Sequence, residues 1–342
     1  MLHFRKIHTT IYCVKIYINS GGSPVKNILV TLPVEQRHKP ILEAAGPDCR
    51  FVYCGMNGAT PELVQEADVI LGCVPAGMIR ASERLGLLQL YSAGADPYIV
   101  PGVLSEKTIL TNATGSYNKA VGEHAFAMVL TLQKNLHRYR DAQKAHCWTD
   151  FGQVCSLSDC TVVVVGLGDI GLHFARLCKA MGATVIGVKR RAGACPEGVD
   201  ELCLSEELDS ALKRADVVAS FLPGSKGTQA IYTAERFKLM KKNAVFVNCG
   251  RGSAVKNAVL AEALRTGEIA AAGIDVCEVE PLPEDSELWE IDNLLITPHV
   301  SGNFHLPDIL EKIVALSADN LRAYLAGEPL RNVVDFETGY KK

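Results

Sequence analysis

Three polar residues follow apolar runs in a pattern that suggests chemistry. Arg251 follows VFVNCG, Glu280 lies in DVCEVEPLP, and His299 lies in LLITPHVSG. Each run suits a buried parallel strand, so all three residues should stand at the carboxyl ends of strands. Open α/β sheets bind ligands at that edge. An Arg clamps a carboxylate through two parallel hydrogen bonds. A His exchanges protons near neutral pH. A Glu bonded to its other ring nitrogen keeps that His oriented. Taken singly, these are a surface charge, a loop acid and a turn residue. Beside a dinucleotide fingerprint they describe a site for carbonyl reduction.

The stretch from Thr161 to Arg191, TVVVVGLGDIGLHFARLCKAMGATVIGVKRR, supplies that fingerprint. Thr161 to Val165 is a β-branched run fit for a buried strand. Gly166, Gly168 and Gly171 then form a G-x-G-x-x-G that encloses Asp169 and Ile170. Ile170, Phe174, Leu177, Cys178 and Met181 recur at helical spacing, Gly182 stops the helix, and Thr184 to Val188 reads as a second strand. In this setting one glycine permits the tight turn, one lets a pyrophosphate approach the backbone, and one lets helix and strand pack closely. The helix N-terminus offers free N–H groups and partial positive charge to the phosphates. An acid about 20 residues further on would grip the ribose hydroxyls of NAD. Lys189, Arg190 and Arg191 stand there instead. These bases can neutralise a 2′-phosphate, and no carboxylate repels it, so the sequence favours NADP over NAD.

A chain of 342 residues should hold two domains, since single cores stop growing near ~250–300 residues. Net charge is -3, which gives no electrostatic footprint for nucleic acid. No run of about 18 apolar residues occurs, so no membrane span is expected. The chain has 12 cysteines, yet none forms a CxxC pair or clusters with histidines at zinc spacing. They read as small core residues in a reducing cytosol, and no metal is expected. The first 24 residues contain Arg5, Lys6 and Lys15, no acid and no clean cleavage site, which makes a poor signal peptide. Regular patterning begins near Val25. Residues 1–24 are therefore expected to be a poorly ordered extension without chemistry. One reading puts the authentic start at Val25, with Gly21-Gly22 a translated ribosome-binding sequence, which the nucleotide sequence checks.

Short apolar runs at Asn27 to Leu32, Phe51 to Tyr53, Asp68 to Leu71, Leu88 to Tyr91 and Ile109 to Thr111 alternate with helix-compatible stretches. They describe a small parallel α/β unit. One long amphipathic helix follows, with Val121, Ala125, Met128, Val129, Leu132 and Leu136 on one face. Ala142 to Ser158 reads as irregular, anchored by Trp148 and Phe151. A six-strand doubly wound plan comes next, and a last helix carrying Leu310, Ile313, Val314 and Leu321 returns to the first unit. The expected domains are 25–117 plus 306–342 for substrate and 118–305 for the nucleotide, with a cleft between them.

GLGDIG, NCGRGSAV, GIDVCEVEPLP and ITPHVSG resemble, in order and spacing, the signature blocks of the D-isomer-specific 2-hydroxyacid dehydrogenase family, in its glyoxylate/hydroxypyruvate reductase-like branch. The resemblance runs from about Val25 to the end. It implies a Rossmann-type doubly wound sheet inserted in a smaller flavodoxin-like α/β substrate domain. It implies hydride transfer between NAD(P) and a 2-keto or D-2-hydroxy acid, with Arg251 binding the substrate carboxylate, His299 as acid/base and Glu280 as its partner. It further implies that Ser92, Ala93 and Gly94 offer backbone N–H groups to that carboxylate. Asp275 would hold the nicotinamide carboxamide, and Leu222, Pro223, Cys249, Gly250 and Gly302 would line the cofactor. A homodimer contacting through Ala142 to Ser158 is implied as well. FLPGSKGT departs from the family's usual Leu-Thr-Pro-Glu-Thr and places Lys226 near the adenosine, while the end soon after Tyr340 leaves no room for the regulatory domain of many phosphoglycerate dehydrogenases. The family also contains dinucleotide-sensing corepressors and phosphite dehydrogenases, which the same triad accommodates.

Overall fold

The computed structural model describes residues 25–80, 82–337 and 339; the expectation for residues 1–24 lies outside the described residues. The chain builds two parallel sheets. The first contains β1 (Asn27–Val30), β2 (Arg50–Tyr53), β3 (Val69–Leu71), β4 (Leu87–Gln89) and β5 (Ile109–Thr111), in the order β2-β1-β3-β4-β5. This is the flavodoxin-like order. The short helices α1 (Lys39–Glu43), α2 (Pro61–Glu66) and α3 (Ala76–Ile79) lie between its strands in sequence. Its central strands are fully buried, Ile28, Val69, Ile70 and Leu87 among them, as apolar runs covered on both faces must be.

The second sheet has seven parallel strands. They are β6 (Thr161–Val165), β7 (Thr184–Lys189), β8 (Glu201–Leu204), β9 (Val217–Ser220), β10 (Val245–Asn248), β11 (Ala271–Ile274) and β12 (Leu294–Ile296), in the order β12-β11-β10-β9-β6-β7-β8. The six-strand expectation omitted β8. That edge strand spans only ELCL, opens on a charge, and pairs with β7 alone. Its Glu201 takes two hydrogen bonds from Arg214, which anchors the edge by charge rather than by apolar pattern.

The long helix after the first sheet is two helices, α4 (Asn118–Gln133) and α5 (Leu136–Lys144). Asn135 between them has a φ of 54°, a left-handed conformation that Asn tolerates, so Leu136 begins a new helix and is exposed instead of sharing the buried face. The expectation for Trp148 also fails, because its side chain lies fully in solvent. Phe151 does anchor its segment, edge-on to Tyr139 at 4.9 Å and beneath Arg138 at 4.0 Å.

Helices α6 (Asp169–Ala180), α7 (Leu208–Leu212), α8 (Ala234–Leu239) and α9 (Asn257–Arg265) complete the second unit, and α4 packs against α6, β10 and β11. The last helix, α10 (Pro307–Ala326), packs on α1 and β4. Its Asn320 donates to Gln89 Oε1 at 2.6 Å and accepts from Arg331 N at 2.8 Å, and Val333 then bridges antiparallel to Thr111 of β5. The chain thus leaves the first sheet through α4 and returns through α10. Arg251 of the second unit reaches Asp96 of the first, and Phe304 meets Tyr91 edge-on at 5.4 Å, so the carboxyl edges of the two sheets face one another.

The turn after β6 depends on Gly171. A Cβ at Gly171 would lie 2.2 Å from the carbonyl oxygen of Gly166, which is backbone and cannot swing away. Gly171→Ala should therefore destabilise the protein by about 1–3 kcal/mol, read as a lower midpoint in urea with an unchanged slope. An unchanged midpoint would mean that the turn is looser than described.

Candidate active site

The G-x-G-x-x-G turn closes β6 and opens α6. Gly166 has a φ of 98°, and a Cβ there would come within 3.0 Å of the Phe221 backbone. Gly168 differs, because a Cβ at that position would meet nothing within 4 Å. It stands at the N-cap of the 12-residue helix α6, with Asp169 and Ile170 opening the helix. An open backbone at a helix N-terminus fits a pyrophosphate. Lys189 ends β7 and is partly exposed, while Arg190 and Arg191 are exposed. β7 flanks β6 on the side away from β10 to β12, so these bases are not gathered with Arg251, Glu280 and His299. Lys226 lies in a turn closed by Ser225 N donating to Thr228 Oγ1.

Arg251 is held by close backbone contacts on both sides. A Cβ at Gly250 would lie 2.5 Å from the carbonyl oxygen of Leu222, and one at Gly252 would lie 1.8 Å from that of Cys277. The loops after β9, β10 and β11 are thereby stacked backbone on backbone, with Leu222 and Pro223 in the first of them. Asn248 is fully buried and spans the turn, accepting from Gly250 N and donating to the carbonyl of Arg251. Arg251 Nε donates to Asp96 Oδ2 at 3.2 Å, and Nη1 donates to the carbonyl of Gly250 at 2.9 Å.

His299 and Glu280 meet directly, Nδ1 to Oε2 at 2.7 Å. A carboxylate only accepts, so Nδ1 carries the hydrogen and Nε2 is left as the exchanging atom. The other Glu280 oxygen accepts from Cys277 N at 2.9 Å, which fixes the carboxylate plane. His299 has a φ of 51°, uncommon for a residue with a side chain, and its N–H donates to the carbonyl of Asp275 at 2.8 Å.

Asp275 is buried and organises the turn that carries His299. Its Oδ1 accepts from Thr297 Oγ1 and Val300 N, and its Oδ2 accepts from Ser301 N and Ser301 Oγ. Those four donors fill about four lone-pair sites. Thr297 has given its one hydrogen to Asp275, so His124 Nε2, 3.0 Å from Thr297 Oγ1, must be the donor to it. Gly302 follows, packed on the Tyr117 ring. Burial and the Asp275 charge push the neighbouring Cys249 thiol well above its ordinary range, and burial pushes Cys277 up to about 11, so both are protonated packing residues.

The opposite wall is the loop after β4. The carbonyl of Ser92 accepts from Ala113 N, that of Ala93 from Asn112 Nδ2, and that of Gly94 from Ser92 Oγ at 2.6 Å. With these carbonyls satisfied inside the protein, the N–H groups of Ala93 and Gly94 meet no protein acceptor among the described residues. Gly94 lies under the Arg251 guanidinium, where a Cβ would be 1.6 Å from Nη2. The Arg and the amide loop therefore converge from different sheets. Among the described residues no group of three or more His, Cys, Asp or Glu is placed to hold a metal, and no helix is long and apolar enough to cross a membrane.

Sequence reasoning missed Asp96, Asn248, Thr297 and His124. Asp96 is 155 positions from Arg251, and no local spacing reveals a charge pair of that separation. Asn248 was legible in part, as a polar residue ending an apolar strand.

A family model described as "D-isomer specific 2-hydroxyacid dehydrogenase, NAD binding domain" matches residues 126–301. The glyoxylate/hydroxypyruvate reductase B of Enterobacter sp. (strain 638) is 31% identical over 304 residues, 83% of this chain and 92% of that protein. The crystal structure of a D-isomer specific 2-hydroxyacid dehydrogenase family protein from Aeromonas salmonicida superposes with a TM-score of 0.80 at 31% identity, covering 91% of this chain and 99% of that one. A D-isomer specific 2-hydroxyacid dehydrogenase from Xanthobacter autotrophicus Py2, solved with NADPH and MES, gives a TM-score of 0.79 at 29% identity, covering 92% of this chain and 100% of that one.

Proposed function

The chain belongs to the D-isomer specific 2-hydroxyacid dehydrogenase family, and from that premise we propose that it reduces a small 2-keto acid to the D-2-hydroxy acid, with NADPH preferred over NADH. The observation that carries this reading is the 2.7 Å His299–Glu280 pair, at the same sheet edge as Arg251 and the dinucleotide turn. Gly166, Gly168, Asp169, Ile170 and Gly171 would hold the pyrophosphate, and Leu222, Pro223, Cys249, Gly250 and Gly302 would line the rest of the cofactor. When bound, the nicotinamide supplies the hydride, and the protein supplies position and charge.

The substrate carboxylate is taken by Arg251 and by the N–H groups of Ala93 and Gly94, with Ser92 bracing the loop. His299, protonated, gives its Nε2 proton to the keto oxygen as negative charge develops there. Glu280 holds Nδ1 throughout, so the ring cannot turn its other nitrogen to the substrate. In the reverse direction the same Nε2 takes the proton from the hydroxyl. Asp275 seats the His299 turn, and the nicotinamide carboxamide it is expected to hold would meet a carboxylate already taken up by Thr297, Val300 and Ser301. The NADPH preference rests on Lys189, Arg190 and Arg191 at the end of β7, and the NADPH-bound relative supports it.

Residues 25–117 with 306–342 form the substrate unit, and 118–305 the nucleotide unit. The fully exposed Trp148 supports a homodimer contact through Ala142 to Ser158, which sedimentation distinguishes from a 36.9 kDa monomer. A cytosolic setting suits the thiols, of which Cys160, Cys178, Cys203, Cys249 and Cys277 are buried and free. The test of the function is steady-state oxidation of NADPH and of NADH against glyoxylate, pyruvate and hydroxypyruvate. Turnover with at least one keto acid, faster with NADPH, is the expected result. Tight dinucleotide binding without turnover would favour a sensing role instead.

A further inference from the structure

We propose that Asp96 is the positioning residue for Arg251, holding its guanidinium by Nε across the cleft so that Nη2 is presented over the Gly94 loop to the substrate carboxylate. The proposal rests on the reading of Arg251 as the carboxylate ligand. Asp96 belongs to the loop after β4 and Arg251 to the loop after β10, so the contact joins the two sheets. A guanidinium has five N–H donors in a rigid fork. Nε is bonded to Asp96 Oδ2 and one Nη1 hydrogen to the Gly250 carbonyl, so three N–H donors remain, one on Nη1 and two on Nη2, and Nη2 lies above Gly94. The fork through Nε and Nη2, which would otherwise grip a carboxylate side-on, is divided: Asp96 occupies one tine. The substrate carboxylate is then left to the remaining Nη1 and Nη2 donors together with the amides of Ala93 and Gly94, a site assembled from both sheets.

Asp96 itself is fixed on two sides. A Cβ on Gly224 would lie 2.2 Å from Asp96 Oδ1, so the carboxylate rests against the Gly224 backbone while its other oxygen meets Arg251. Gly224 also belongs to the second unit, in the loop after β9. The ion pair is half exposed, with side chains 30% and 42% accessible, so it contributes little to overall stability. Its effect is geometric: it sets where the remaining Arg251 donors meet the substrate carboxylate, and so how tightly that carboxylate is held.

The experiment compares wild type, Asp96→Ala and Asp96→Asn, each saturated with NADPH. Oxamate, a non-reducible 2-keto acid analogue, is titrated calorimetrically, and kcat and KM for pyruvate are measured separately. In Asp96→Ala, oxamate Kd and pyruvate KM should rise by about tenfold or more, with kcat changed less than threefold and NADPH affinity unchanged. Asp96→Asn keeps an oxygen for Nε to donate to and should recover most of the loss. Gly224→Ala displaces Asp96 without altering it, and should weaken oxamate in the same direction even if Asp96→Ala fails to fold. Tighter oxamate binding in the Asp96 variants would overturn the proposal, because Asp96 would then be a rival anion. Unchanged binding would overturn it too, as would a wild type that binds no oxamate. A wild type that binds oxamate but turns over no keto acid would sink the reductase reading alone, and the variants would still decide the role of Asp96.

Discussion

Replacing His299 with asparagine should lower kcat for 2-keto acid reduction by about 100- to 10,000-fold, the usual contribution of a positioned general acid. The substitution keeps a hydrogen-bonding side chain of similar reach near Glu280 but removes the group that delivers a proton at Nε2. The His299 backbone is held by the Asp275 carbonyl and by the carboxylate bonds to Val300 and Ser301, none of which involves the imidazole. The turn should therefore survive, and NADPH affinity should stay within a factor of two, by fluorescence titration. A variant that retains more than a tenth of wild-type kcat would remove His299 from the proton step. One that loses cofactor binding as well would point to collapse of the turn, and Glu280→Gln would then be the cleaner probe of the pair.

The second large effect concerns the cofactor. Changing Lys189, Arg190 and Arg191 together to uncharged residues should raise the Kd for NADPH by about 100-fold, while NADH changes less than threefold. Hydrogen bonds to charged groups contribute roughly 1.5–3 kcal/mol each, so loss of even two from a 2′-phosphate accounts for that ratio. NADH has no phosphate at that position, and the glycine turn that holds its pyrophosphate is untouched. Equal losses for the two cofactors would show that these bases act on the fold of β7 rather than on the phosphate.

Much of the architecture was legible because both sheets are parallel and covered on both faces. Buried parallel strands write themselves as apolar runs, and Thr161–Val165 and Val245–Asn248 could be read directly. The fingerprint was legible because glycine has few substitutes where a Cβ would strike backbone, as at Gly171. β8 was not legible: an edge strand of four residues with a charged start lacks the two-faced burial that makes a strand conspicuous. The break at Asn135 was hidden because the apolar spacing runs on through Leu136, and only the backbone reveals the left-handed residue. Trp148 misled because large aromatics usually find a core, and here the side chain finds none among the described residues.

At the site, Arg251, Glu280 and His299 were legible as polar residues after strands. Most of their supports were not, and Asp275 was named only for the nicotinamide. Asp96 lies across the cleft, and Asp275, Thr297 and His124 form a chain of hydrogen bonds across sequence gaps of 22 and 173 residues. Such pairings arise from the folded sheet edges alone, so one sequence gives no periodic trace of them. Gly252 is a similar case, since its requirement comes from the Cys277 carbonyl in another loop.

The central claim is that this site transfers a hydride to C2 of a 2-keto acid while a side chain protonates the oxygen. The most direct measurement is the fate of deuterium when the protein acts on pyruvate with NADPH labelled at C4 of the nicotinamide on the transferred face, with product configuration read by chiral chromatography. The account predicts D-lactate bearing one deuterium at C2. L-lactate, or lactate whose C2 hydrogen comes from solvent, would contradict it.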